Sequence, residues 1–328
     1  MHRSRKHFAI LGGVGLLLAG LSAITSAPSA SGQGGGGIEA IQLSGPVVPV
    51  AGWSGEAPTQ TPAEAGFTPS PVVPTDAQPA ESVIGAESVI GPDGRTQVTN
   101  TTTYPNRAIG QIELNQDGQQ FICTGWLIDA NTILTSGHCA YDVENGAQPN
   151  RIESATWYPG RNGGTDPFGG CAVETVWSPP TEWVINGQPY YDFAVMNFAN
   201  TGPCQDIGAT TGTFGLYANA TVNALDNRFA TVQGYPGDQD PGTMWKMRGR
   251  IFKGNKRFVF YPMDTYGGQS GSPVFQNRTS GPCIGYCGVA VHSYGIGLPG
   301  AGLNHNGGPR LTAFRLGQIA DVADDNGT

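Results

Sequence analysis

Apolar and polar positions divide the chain into three stretches. A basic opening (Arg3, Arg5, Lys6, His7) leads into an apolar run of about 14 residues at 8–21, followed by small residues at 22–30. That run is short of the roughly 20 needed to cross a bilayer, and the layout is that of a secretory signal peptide over 1–30. Residues 31–87 show no period. They hold eight prolines, a four-glycine run at 34–37, six acids and no Lys or Arg. Too little apolar surface is present there to offset the entropy of ordering the backbone. Beyond residue 100 the pattern becomes short apolar, β-branched and aromatic runs broken by Gly, Pro, Asn and Asp. These predict strands near 108–114, 121–128, 132–136, 172–177, 193–198, 221–223, 230–235, 244–251, 257–261, 273–275 and 288–293. No βαβ rhythm interrupts them, so the prediction is all-β, a sandwich or barrel. A Gly/Pro-rich connection at 201–213 divides it into two comparable units. Leu311, Phe314, Ile319 and Val322 set a helical stripe on a terminal helix starting near Thr312.

Composition narrows the reading further. Only 13% of residues are charged and the net charge is −8, which excludes a coiled coil and a basic nucleic-acid binder. All six cysteines lie between Cys123 and Cys287. For an exported chain an even count reads as disulfides, with 15 possible connectivities, and the spacing of Cys123, His138 and Cys139 fits no common zinc pattern. The sequence ESVIG occurs twice, at 81–85 and 87–91, creating two Glu-Ser bonds. These read either as a chance duplication in a linker or as processing sites. A cut at Glu87-Ser88 leaves 241 residues with net charge −5.

Candidate chemistry sits in three places. Gly267-Gly268-Gln269-Ser270-Gly271-Ser272-Pro273 flanks a serine with glycines that permit a tight turn and converging amides. His138 follows a predicted strand and precedes a cysteine whose disulfide would hold the imidazole still, as a general base requires. Asp192 is a lone acid at the mouth of an apolar strand; by itself it reads equally as a turn or cap residue. The order His138, Asp192, Ser270 is that of the two-barrel serine proteases, not the Ser-Asp-His order of the α/β-hydrolases, which disfavours an esterase or lipase. His292 taken alone is a core strand residue and His305 an exposed loop residue. Trp126, Trp157, Trp177, Trp183 and Trp245 read as core packing.

Together with Ser88-Val89-Ile90-Gly91, Arg95, Val98-Thr99-Asn100-Thr101, Cys123-Thr124-Gly125-Trp126, Gly137-His138-Cys139, Tyr191-Asp192, Gly234-Tyr235-Pro236-Gly237-Asp238, the run 264–275 and Ala290-Val291-His292, the chain resembles chymotrypsin-like serine proteases. More closely, it resembles the bacterial glutamyl endopeptidases of the staphylococcal and Bacillus type. The resemblance covers about residues 88–315. It implies two six-stranded antiparallel β-barrels with a C-terminal helix: a first barrel at 88–205 with His138 and Asp192, and a second at 206–328 with Ser270. It implies a His138 base, an Asp192 orienter, a Ser270 nucleophile and an oxyanion hole from the Gly268 and Ser270 amides. It also implies a pocket in which His292 and Thr265 receive a glutamate carboxylate, and a Ser293-Tyr294-Gly295 segment that presents backbone to substrate. Residues 31–87 become a pro-region removed at Glu87-Ser88, leaving a secreted monomer with protein and peptide substrates. The resemblance pairs Cys123 with Cys139 and Cys283 with Cys287, which leaves Cys171 with Cys204.

Two residues complicate it. Asp264 lies six positions before Ser270, where trypsin-like enzymes carry the acid that selects Arg or Lys, so basic specificity is the alternative. Gln269 stands where animal enzymes carry the aspartate that pairs with the new N-terminus, and a neutral amide cannot make that ion pair. A non-catalytic protein on the same scaffold is a further alternative, although none of the three candidate catalytic residues is missing. No cofactor or metal is expected. A calcium on a surface loop is not indicated, since no acid cluster has EF-hand spacing.

Overall fold

The structure is a computed structural model that describes residues 39–40, 52–59, 70–71, 78–79, 88–143, 150–199, 201–218, 221–297 and 304–325. The expected signal peptide and Glu87 lie outside the described residues. Six strands make the first half: β1 (Ile109–Gln116), β2 (Gln119–Asp129), β3 (Thr132–Thr135), β4 (Ser154–Pro159), β5 (Cys171–Trp177) and β6 (Ala194–Phe198). They pair antiparallel in the order β5-β4-β1-β2-β3-β6, and β6 pairs back onto β5, closing the barrel. Along β4, Ala155, Trp157 and Pro159 are buried and alternate with more exposed neighbours, the period-2 signature of a one-sided strand. Trp126, Trp157, Trp177 and Trp183 are buried in the core; Trp157 also donates its Nε1–H to Gly125 O at 3.1 Å.

The second half does not close. Its strands are β7 (Gly215–Tyr217), β8 (Phe229–Gly234), β9 (Trp245–Arg250), β10 (Phe258–Tyr261), β11 (Pro273–Arg278), β12 (Gly285–Val291) and β13 (Asn306–Pro309). One sheet runs β7-β12-β11-β8-β9. A separate ladder joins Lys253–Gly254, β10 and β13, with only isolated bridges at Ala290–Arg310 and Tyr294–Gly307 between it and the strand-β12 region. The expectation of two six-stranded barrels is therefore corrected to one closed barrel and one open sheet. The physical reason lies at the edges. The free side of β9 takes Thr96–Gln97 as its partner, and the free side of β7 takes Gly52–Trp53. Those positions, Trp245–Lys246 and Leu216–Tyr217, are taken by segments from earlier in the chain, and among the described residues β9 and β7 do not pair with each other.

Other expectations shift locally. The stretch 221–223 is turn, not strand. The C-terminal helix spans Ala313–Asp325, and its buried face carries Leu316, Ile319 and Val322, while Phe314 points out at 48% exposure. No helix of the described residues is long and apolar enough to cross a membrane.

Candidate active site

His138 and Asp192 arrive on neighbouring barrel strands. Strand β3 ends at Thr135, and the next turn, Gly137–Cys139, carries the histidine. Asp192 lies just ahead of β6, whose Ala194 pairs with Thr135. The aspartate is fully buried and grips the histidine twice. Oδ1 accepts the His138 backbone N–H at 2.8 Å, and Oδ2 lies 2.9 Å from Nδ1. An ionised carboxylate only accepts, so Nδ1 carries the proton of the neutral ring and Nε2 is its basic atom. Gly137 permits this approach: a Cβ there would lie 2.8 Å from Trp183 Nε1 and 3.0 Å from Asp192 Oδ1.

Ser270 reaches the same place from the open sheet. Its turn is stitched to β2 of the barrel through Thr124. The Thr124 N–H donates to Ser270 O at 2.8 Å, and its Oγ1–H donates to Gly268 O at 2.9 Å. Gly271 donates to His292 O at 2.8 Å. Gly268 and Gly271 hold φ of +99° and +87°, and a Cβ on Gly271 would lie 2.1 Å from Thr135 Oγ1 and 3.0 Å from Ser136 N. The serine turn is thus pressed against the residues that lead into His138. Glycine is required there by both conformation and space.

The expected pocket residues His292 and Thr265 are both buried. His292 is fully buried, with Nδ1 2.6 Å from the Tyr261 hydroxyl. Thr265 is buried, and its Oγ1 has no hydrogen-bond partner among the described residues. Ser136 Oγ donates to His292 O at 2.9 Å and lies 2.7 Å from Ser293 Oγ, which reaches Asp192 O at 3.2 Å. The two hydroxyls therefore link the main-chain carbonyls of Asp192 and His292. Of the segment expected to present backbone, Tyr294 has both polar groups engaged with Gly307, and Ser293 N–H also donates there. The Ser293 carbonyl and Gly295 make no backbone hydrogen bond among the described residues. Burial raises the Tyr294 hydroxyl pKa well above its ordinary value, and nearby Asp192 adds to the effect.

Asp264 sits differently from a pocket acid. It is buried, and its two oxygens accept the amides of Ile90 and Gly94 at 2.7 Å each. Asn306 completes this hold on the N-terminal segment by donating to Ser88 O at 2.7 Å and to Met263 O at 2.8 Å. Gln269 accepts the Tyr266 amide through Oε1 at 3.1 Å, within its own loop. Tyr261, Asn306, Ser136 and Thr124 had carried no sequence signal as functional residues, since a partner's partner has no motif of its own.

The structure pairs Cys123–Cys139, Cys171–Cys204 and Cys283–Cys287. Among the described residues, the one His/Cys/Asp/Glu group close enough to hold a metal is Cys123, His138 and Cys139. Both of its sulfurs lie in a disulfide and offer no thiolate.

Comparison with known proteins agrees with this geometry. A family model described as a trypsin-like peptidase domain matches residues 123–285. A glutamyl endopeptidase of Bacillus licheniformis is 40% identical over 235 residues, covering 71% of this chain and 68% of that protein. A Bacillus subtilis protein named an extracellular metalloprotease is 32% identical over 227 residues, covering 69% of this chain and 66% of its own length. The matched stretch is thus about two thirds of each relative. A solved structure of a Glu endopeptidase in complex with MPD superposes with a TM-score of 0.57 at 31% identity, covering 71% of this chain and 99% of that one.

Proposed function

Because the chain belongs to the bacterial glutamyl endopeptidase family of trypsin-like serine peptidases, we propose that it cleaves peptide bonds on the carboxyl side of glutamate, and more weakly of aspartate. In this reading His138 Nε2 takes the proton of Ser270 Oγ as that oxygen attacks the carbonyl carbon. The oxyanion accepts hydrogen bonds from the Gly268 and Ser270 amides. Asp192 holds the ring and stabilises the imidazolium, which then protonates the leaving amine. Water hydrolyses the acyl-enzyme by the same route. Loss of one oxyanion donor in such a site costs about 2.7–4 kcal/mol of transition-state stabilisation.

The observation that carries the specificity is the Tyr261–His292 hydrogen bond. A tyrosine hydroxyl donating to Nδ1 leaves the imidazole proton on Nε2, a donor suited to a carboxylate. Thr265 Oγ1 supplies a second donor. A buried carboxylate needs such partners, and charge-assisted hydrogen bonds are the strong ones. The alternative, basic specificity set by Asp264, is weakened because both Asp264 oxygens already serve the Ile90 and Gly94 amides.

The same reading takes residues 1–30 as an export signal and 31–87 as a pro-region. Glu87-Ser88 is then a bond that the enzyme can cut itself, and the product is an extracellular enzyme acting on proteins and peptides.

The test is a set of peptide substrates differing only at the residue before the scissile bond: Glu, Asp, Gln, Arg and Phe. Each hydrogen bond to a charged group is worth about 1.5–3 kcal/mol, so kcat/KM for Glu should exceed that for Gln by about 10- to 150-fold. Ser270→Ala should abolish turnover of all five. An Arg preference would overturn the glutamate assignment and return the pocket to Asp264.

A further inference from the structure

Residues 52–59 belong to the 31–87 segment, yet they are seated on the second half of the molecule. Gly52–Trp53 pairs antiparallel with the edge strand β7, Trp53 opposite Leu216 and Gly52 opposite Tyr217. Ser54 Oγ accepts the Ile284 amide at 2.8 Å. Glu56 donates its N–H to Thr213 Oγ1 and accepts the Thr213 N–H on its carbonyl, each at 2.8 Å. Thr59 donates to Ala209 O at 2.8 Å. Between these contacts the backbone at Gly55 lies so close to the body of the protein that a Cβ would sit 2.0 Å from Thr213 O and 2.4 Å from Gly215 N. The surface is complementary to an extended peptide with glycine at that one position.

An unpaired sheet edge is a template for another strand, and main-chain pairing is a standard way to bind an extended peptide. The far side of β7 is already paired with β12, at Gly215–Cys287 and Leu216–Gly288. None of the residues that hold 52–59 is His138, Asp192, Ser270, Thr265 or His292.

We propose that this edge, with the 209–213 connection ahead of it, is a docking site for the chain's own residues 52–59. The pro-segment stays bound there as a separate strand after cleavage at Glu87-Ser88, outside the substrate cleft. It then stabilises the open sheet without competing with substrate. The proposal rests on the pro-region reading above.

The full chain is first allowed to mature and is passed over a sizing column. A fragment ending at Glu87 should co-elute with an enzyme that begins at Ser88 and is active on a short Glu peptide. With that fragment dissociated and removed, a labelled peptide of residues 50–61 carrying Glu56→Gln, which keeps the backbone contacts of that residue and removes its cleavable Glu-Ala bond, should bind the matured enzyme, and the same peptide with Gly55→Val added should bind at least tenfold more weakly. Saturating Glu56→Gln peptide should leave KM for the Glu substrate unchanged. Because the substitution is carried by the peptide, no folding defect of the enzyme enters. A rise in KM with peptide concentration would place the segment in the cleft and overturn the proposal, as would equal binding of the two peptides. If the chain stays uncut, the processing reading fails by itself. Replacing residues 82–87 with the recognition sequence of an unrelated protease then gives the same co-elution readout: retention supports the docking site and loss overturns it.

Discussion

In the proposed pocket, Tyr261 selects which nitrogen of His292 a substrate would meet. Its hydroxyl lies 2.6 Å from Nδ1; where the hydroxyl donates, as the proposed function requires, Nε2 keeps the proton. Tyr261→Phe removes that donor and frees the neutral ring to take the other tautomer, in which Nε2 repels a carboxylate. We expect kcat/KM on Glu peptides to fall about tenfold, the equivalent of roughly 1.4 kcal/mol, mainly through KM, with turnover of a Phe peptide unchanged; steady-state kinetics on the two substrates checks this. Sequence reading singled out His138, Asp192 and Ser270 because residue type and order along the chain carry the signal, and the structure puts Asp192 in hydrogen-bond contact with His138. It did not reach Tyr261, which sits in Phe258–Tyr261 among apolar neighbours and looks like core. Asp264 was readable only as an offset from Ser270. Its partners, the amides of Ile90 and Gly94, come from about 170 residues earlier, a distance no local pattern encodes.

Strands rich in β-branched and aromatic residues were legible as elements, but β13 was not. Its sequence, Asn306-Gly307-Gly308-Pro309, holds no strand former. It pairs with β10 because close approach matters more there than propensity: a Cβ on Gly308 would lie 1.8 Å from Val291 O. β4 also went unread, since its buried positions include a proline and an alanine among polar residues. The helix was readable, although its stripe falls on Leu316, not Phe314, once packing fixes the rotation. Gly308→Ala forces overpacking worth about 1–3 kcal/mol, and at about 2–4 °C per kcal/mol for a domain of this size it should lower Tm by roughly 2–12 °C in a thermal scan. The same variant should lose Glu selectivity, because β13 carries Asn306, which holds Ser88 and Met263. Unchanged melting would mean that the strand can move aside freely.

Across the whole molecule, the segment 88–97 ties the open sheet together. Arg95 is held between Asp93 and Asp238, at 2.8 and 2.5 Å, and Thr96–Gln97 covers the edge of β9. The hydrogen bond from Arg95 keeps the Asp93 carboxyl below its ordinary value of 3.8, against the opposing effect of burial. A depressed folded pKa means that this contribution is fully present above 3.8 and is lost as pH falls through the folded value. Melting temperatures at pH 5 and pH 3 should therefore differ more for the wild type than for Asp93→Asn. Equal differences would show that the network carries no linkage. That one half closes and the other does not could not be read from strand count, because closure depends on whether the two end strands meet, as β5 and β6 do. The covered edges also have a consequence for synthesis. The two segments that finish the open sheet, Gly52–Trp53 and Thr96–Gln97, precede in the chain the strands they cover. A polypeptide made from its N-terminus forward has these finishing pieces before it has the sheet, and long-range pairing of this kind is slow to form. The turn bearing Ser270 comes to rest against Thr124 and Thr135 only when the late-made half collapses onto the early one. A chain not yet made as far as Ser270 therefore carries only part of the candidate site, however much of its first half has folded.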